Sequence, residues 1–145
     1  MQRTPIQFGR RSEPLVVTDH ILVIGYGDTG RCAVNSVLTS QPDARLTVLD
    51  IDFLAVVEAT ANGATAVHGD GRDRCVLDLA AVDMADRVIV AVPDDLAAFL
   101  IARAVRPYNP DAVVVVVIRE PENHALFLSS DVTSVHIRPP DERQT

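Results

Sequence analysis

Residues 20–34 read HILVIGYGDTGRCAV, and this stretch decides the fold. Four apolar residues, Ile21, Leu22, Val23 and Ile24, form a run too short for a helix and uniform enough for a strand buried on both faces. The glycine spacing Gly25-x-Gly27-x-x-Gly30 follows at once, and a helical pattern begins after it. Strand, glycine turn and helix in that order form the context in which the spacing signals a phosphate-binding turn. Gly25 permits the tight turn, Gly27 lets the backbone approach a pyrophosphate, and Gly30 lets the helix pack closely on the strand. The helix N-terminus then offers free N–H groups and a positive dipole end to phosphate.

The second strand ends LTVLDID and places Asp50 twenty residues after Gly30, where a carboxylate grips the hydroxyls of an adenosine ribose. A carboxylate there repels a 2′-phosphate, which favours NAD or plain adenine nucleotides over NADP. Asp52 is a second candidate on the same rim, and Ile51 lies between them. The third strand runs into Gly69-Asp70-Gly71. Asp70 either reaches the adenine edge, with Gly71 leaving room, or caps the next helix. The fourth strand ends Val92-Pro93-Asp94-Asp95, again on the ligand-bearing edge, although helix capping alone explains Asp94. Arg31 either reaches a phosphate or stands in solvent. The candidate cofactor-binding residues are thus Gly25, Tyr26, Gly27, Asp28, Thr29, Gly30 and Arg31 on the first turn, Asp50, Ile51 and Asp52 on the second, Gly69, Asp70 and Gly71 on the third, and Val92 and Pro93 on the fourth.

Working outward, short β-branched runs at 21–24, 46–49, 66–68, 87–92, 113–118 and 134–137 alternate with helical patterns at 29–40, 54–62, 73–80, 94–105 and 122–129. Gly63 stands where a helix-ending glycine belongs, and Pro107 follows the fourth helix. This alternation predicts right-handed βαβ crossovers and a Rossmann-like, doubly wound α/β domain with a mainly parallel six-stranded sheet. Residues 1–19, polar with Arg3, Arg10 and Arg11, read as a tail or linker. Residues 20–138 form the domain, and 139–145 a C-terminal tail.

The whole chain limits the function classes. Its 145 residues suffice for one domain with a real core. The longest apolar run, 112–118, is far short of the ~20 residues that cross a membrane. A net charge of −7 argues against a nucleic-acid or anionic-lipid footprint. All 13 basic residues are Arg. The absence of Lys excludes a P-loop lysine, a Schiff base and a Tyr-x-x-x-Lys catalytic pair. Cys32 and Cys75 are too few and too far apart for a disulfide framework or zinc site, so a reduced, cytoplasmic setting fits. Cys32 is expected as a small buried packing residue, and His20, His68, His124 and His136 as structural residues. Neither catalytic nor metal-ligating residues are expected.

Four segments together carry a family resemblance: GYGDTGR, TVLDID, AVHGDGRDRCVLDLAAVDMADRVIVAVPDD and NPDAVVVVVIREPEN. From about His20 to Ile137 the chain resembles the TrkA-N domain, also called RCK or KTN, a regulatory nucleotide-binding module of potassium channels and transporters. The third segment is the most specific, with its GDxxD turn, Leu-rich helix, Ala-Asp-x-Val-Ile-Val strand and closing Pro-Asp-Asp. The resemblance implies a module that binds NAD(H), ATP, ADP or AMP at Gly25, Gly27, Gly30, Asp50 and Asp70. It also implies a homodimer or larger ring working at the inner face of the cell membrane on a parent or partner channel or transporter. Apolar residues of helix 94–105, among them Leu96, Phe99, Leu100 and Ile101, are candidates for an interface. The family's crossover helix and second subdomain have no counterpart after residue 137, which is expected of an excised piece or a small stand-alone member. The competing functions are a small NAD-dependent oxidoreductase and a soluble NADH/NAD redox sensor acting on a protein partner.

Overall fold

A computed structural model describes residues 19–128 and 131–139. Of the tails expected at 1–19 and 139–145, residues 1–18 and 140–145 lie outside the described residues, as does Ser129 at the end of the fifth expected helix. The elements are β1 (His20–Ile24), α1 (Asp28–Ser40), β2 (Arg45–Asp50), α2 (Phe53–Ala61), β3 (Thr65–His68), α3 (Arg74–Leu79), β4 (Arg87–Val90), α4 (Asp95–Val105), β5 (Val113–Ile118) and β6 (Ser134–Ile137). One sheet takes the order β3-β2-β1-β4-β5-β6, and every neighbouring pair is parallel. This is the doubly wound Rossmann-like arrangement expected from the sequence, and the sheet is wholly parallel.

The uniform apolar strands are explained by an apolar layer on each face of the sheet. Alternate residues of β1 divide between the layers. Leu22 and Ile24 join Leu77, Ala98, Ile101, Val105 and Phe127 on one side. Ile21 and Val23 join Val34, Val37, Val48 and Ala59 on the other. Strand position in both layers leaves β1 without a polar face. Fully burying a side chain such as Phe127 stabilises by about 2–3 kcal/mol.

Local signals set most element ends. Asp52, Asp73 and Asp94 each accept a hydrogen bond from the backbone N–H two residues on, capping α2, α3 and α4. Gly63, just past α2, takes φ +95°. Three expectations need correction. The first strand begins at His20, which is buried because its ring lies 3.0 Å from Thr47 Oγ1 and its N–H donates to Asp86. The fourth strand stops at Val90 rather than 92, although Ala91 N–H still donates to Ile24 O. The fifth helix is a 3₁₀ segment, Pro121–Phe127, whose start is held by side-chain bonds to Asp95.

Candidate functional site

Because β1 lies between β2 and β4, the chain reverses its direction of winding at β1/β4. Ligands of open parallel sheets bind in the crevice beyond the strand ends at such a switch point. A cleft of about 480 Å³ lies there. That volume falls within the ordinary range for small-molecule and cofactor sites. The cleft is lined by Gly25, Tyr26, Gly27 and Arg31 from the first turn, Asp50, Ile51 and Asp52 from the second, Gly69, Asp70 and Gly71 from the third, and Val92 and Pro93 from the fourth. Twelve of the fifteen sequence candidates therefore converge. Gly30 lies beneath the turn, while Asp28 and Thr29 line a separate groove beside α1.

The glycines differ in what fixes them. Gly25 has φ +102°, and a Cβ on it would stand 2.7 Å from Ala91 O. A Cβ on Gly30 would stand 1.8 Å from Gly25 O, so the close helix–strand approach expected there is real. Gly69 and Gly71 would press on Val76 and on Ile24 and Ile101. Gly27 alone among the cleft glycines has φ −82° and nothing within 4 Å of an added Cβ. Its bare Cα faces open space at the start of α1, where no side chain caps the helix. Neither the backbone nor packing against the protein requires a glycine there. The first-turn N–H groups of a helix lack intrahelical partners, which makes this the phosphate-accepting end.

Asp50 does more than stand at the rim. One oxygen accepts from Tyr26 N–H at 2.6 Å and the other from Asp52 N–H at 2.8 Å, so the acid ties the first turn to the second. Each carboxylate oxygen has a further lone pair for a ligand hydroxyl. Asp52 lines the cleft while capping α2. Tyr26 presents backbone to the cleft: its ring is buried and its hydroxyl accepts from Asn62. Asp70 does not cap α3, a role taken by Asp73. Instead it holds Arg72 through two nitrogens, with Nη2 at 2.7 Å. Hydrogen bonds from Arg72 keep the Asp70 carboxyl below its ordinary value, against a smaller upward push from burial. Arg31 is partly exposed, but its guanidinium has partners. It reaches Asp28 at 2.5 Å and Glu58 at 3.4 Å.

Sequence reasoning missed Glu58 and Arg72. Glu58 follows Leu54 by four residues on α2, and both line the cleft with Ala55, so helical periodicity counted from Asp52 carried the signal. Nothing in the sequence distinguished Arg72 from its neighbour Arg74. Cys32 is exposed, contrary to the buried position expected, because it lies on the outer side of α1 beside the second groove. His68 and His136 are also exposed. Among the described residues no cluster of three or more His, Cys, Asp or Glu is arranged to hold a metal. No helix among them is long and apolar enough to cross a membrane.

Residues 21–137 match the family model of the TrkA-N domain. The chain belongs to the TrkA-N domain family. It is 28% identical over 102 residues to the putative cation/proton antiporter YbaL of Escherichia coli strain K12. That match covers 70% of this chain and only 18% of YbaL. The crystal structure of the YbaL TrkA-N domain is similar with a TM-score of 0.75 at 25% identity, covering 88% of this TrkA-N chain and 91% of that one. The fold is shared with the GsuK channel bound to NAD, at TM-score 0.71 and 19% identity over 83% of this chain and 21% of that one. The AMP-bound Kef CTD of Shewanella denitrificans is likewise similar in fold, at TM-score 0.68 and 19% identity, over 83% and 72% of the two chains.

Proposed function

We propose that this TrkA-N domain binds an adenine nucleotide or dinucleotide, NAD(H) or ATP, ADP or AMP, in the switch-point cleft. Occupancy of the cleft regulates a potassium channel or transporter, or a cation/proton antiporter, at the cytoplasmic face of the membrane. The observation that carries this reading is Gly27, a glycine that the protein's own packing does not require, at the uncapped start of α1 and on the same cleft as Asp50. In this reading phosphate sits against the Gly27 backbone and the first turn of α1, and Asp50 receives the ribose hydroxyls. Asp70 and Gly71 border the base. The ligands carried by the GsuK channel, NAD in one structure and ADP in another, and by Kef, AMP, support an adenosine-reading site.

No catalytic step belongs to this function. The domain acts as a switch, and a nucleotide moves the switch only by binding its two conformations unequally. Assembly as a dimer or larger ring is part of the same proposal, supported by Leu96 and Leu100, which stand exposed on α4 while Ile101 is core.

The test is calorimetric titration of the wild-type domain and Gly27→Ala with NADH, NAD, ATP, ADP and AMP. Asp50→Ala is a poorer probe, because Asp50 also holds Tyr26 and Asp52 in place. At least one nucleotide is expected to bind the wild type, and Gly27→Ala is expected to weaken it at least tenfold, about 1.4 kcal/mol. Failure of all five to bind, or equal binding by the variant, would remove the cleft as the site.

A further inference from the structure

Resting on the nucleotide-binding reading above, we infer that the cleft sorts nucleotides by charge. It takes AMP or NAD(H) in preference to free ATP, and Glu58 is a specificity-determining residue through its charge on the cleft. Five carboxylates line the cleft, those of Asp50, Asp52, Glu58, Asp70 and Asp94, against two cations, Arg31 and Arg72, giving 2 − 5 = −3. Both cations are already engaged. Arg31 Nη2 lies 2.5 Å from Asp28 Oδ1, and its Nη1 lies 3.4 Å from Glu58 Oε1 and 3.4 Å from Tyr26 O. Arg72 is bound through Nε and Nη2 to Asp70. The chain contains no lysine to supply another positive charge.

What remains for phosphate is the N-terminal end of α1, equivalent to roughly half a positive charge. That suffices for a monophosphate or a diester-linked pyrophosphate with hydrogen-bonding N–H groups. It does not offset a triphosphate. AMP and NADH carry about two negative charges and ATP about four. Each uncompensated carboxylate about 8 Å from the phosphates weakens binding roughly twofold for every added ligand charge, even at the dielectric of water. The surplus of three carboxylates on the cleft therefore places free ATP well behind AMP. Glu58 contributes its own charge, while Arg31 is held more closely by Asp28.

The test is titration of the full chain with AMP, NADH and ATP in EDTA, which removes the Mg²⁺ that would mask the triphosphate. ATP is expected to bind at least tenfold more weakly than the better of AMP and NADH. Raising salt to about 0.5 M is expected to narrow the gap by screening the repulsion. Glu58→Gln is expected to shift the ATP:AMP affinity ratio about fourfold towards ATP, roughly twofold for each of the two added charges, whereas Asp83→Asn, at a carboxylate remote from the cleft, leaves the ratio unchanged. ATP binding as tight as AMP or NADH, a gap that widens with salt, or a Glu58→Gln ratio equal to wild type would each overturn charge selection while leaving nucleotide binding intact. No binding by any of the three would overturn charge selection together with the reading on which it rests.

Discussion

Two turns stand side by side at the carboxyl ends of adjacent strands, and they solve the same problem in opposite ways. The turn after β4 is closed by its own side chains. Asp94 accepts from Leu96 N–H at 2.9 Å and caps α4. Asp95 reaches across to take Arg119 N–H at 2.8 Å, Glu120 N–H at 3.0 Å and the Asn123 amide at 2.9 Å. The turn after β1 has no side-chain cap, and its glycines bring backbone to the surface of the cleft. A turn satisfied by its own carboxylates is part of the scaffold. A turn whose helix starts without a side-chain cap beside a cleft is available to something outside the protein.

The contrast is broken most severely at Gly30. Inside a helix, Gly→Ala ordinarily stabilises by up to about 1 kcal/mol. Here the new Cβ would stand 1.8 Å from the Gly25 carbonyl oxygen, a backbone atom that cannot swing aside as a side chain would. Gly30→Ala is expected to destabilise by about 4 kcal/mol or more, read as a lower urea midpoint. Three residues away, Gly27→Ala is expected to cost only about 1 kcal/mol, the difference between Gly and the poorer cap Ala. Similar losses at both positions would mean that the two glycines share one structural role, and the comparison would lose its meaning.

The closed turn breaks at Asp95, with the next largest effect. Asp95→Ala leaves two backbone N–H groups and the Asn123 amide without their acceptor, at a cost of about 2–3 kcal/mol. The carboxylate also gives the turn a pH dependence of known sign. Burial pushes the Asp95 carboxyl up. The hydrogen bonds from Asn123, Arg119 and Glu120 and the positive charge of Arg119 outweigh it and hold the group below its ordinary 3.8. A carboxylate with a depressed folded-state pKa stabilises fully above its unfolded value and loses that contribution as pH falls through the folded one. Acid unfolding measured below about pH 4 should therefore be steeper in the wild type than in Asp95→Ala. Parallel acid profiles would show that Asp95 binds its proton equally in both states.

The open turn was legible in the sequence and the closed one only in part, for a physical reason. The glycine spacing, the apolar strand before it and the distance to Asp50 are all local features written along the chain. So is the cap Asp94, a single residue before a helix, whereas the cap of α3 was expected at Asp70 and is Asp73. Asp95 looks like a second acid in a helix's first turn until the fold brings β5 beside β4 and delivers Arg119 and Glu120 to it. The misassigned helix at 122–129 has the same origin: long-range bonds to Asp95 fix Glu120 and Asn123, and Asn123 N–H closes an i→i+3 bond to Glu120 O. Cys32 is exposed because α1 turns Gly30, Val34 and Val37 inward, and its neighbours Arg31 and Ala33 do not mark which side of the helix faces the sheet. Glu58 and Arg72 entered the cleft by helix phase and turn geometry, which composition does not show.

The smallest expected effect lies at Asp94, and it asks whether the two turns differ by design or only by residue type. Its carboxylate faces the cleft and also caps α4, so each role must be removed separately. Asp94→Ala removes charge and cap together and is expected to cost about 1 kcal/mol of stability. Asp94→Asn removes the charge and keeps an oxygen for Leu96 N–H, and should recover most of that loss within a few tenths of a kcal/mol. Recovery by Asn in a urea titration identifies the cap as what Asp94 does for the fold. If Asn is as damaging as Ala, the negative charge at the start of α4 matters more than the hydrogen bond. The β4 turn would then owe its closure to the helix dipole rather than to its side-chain cap.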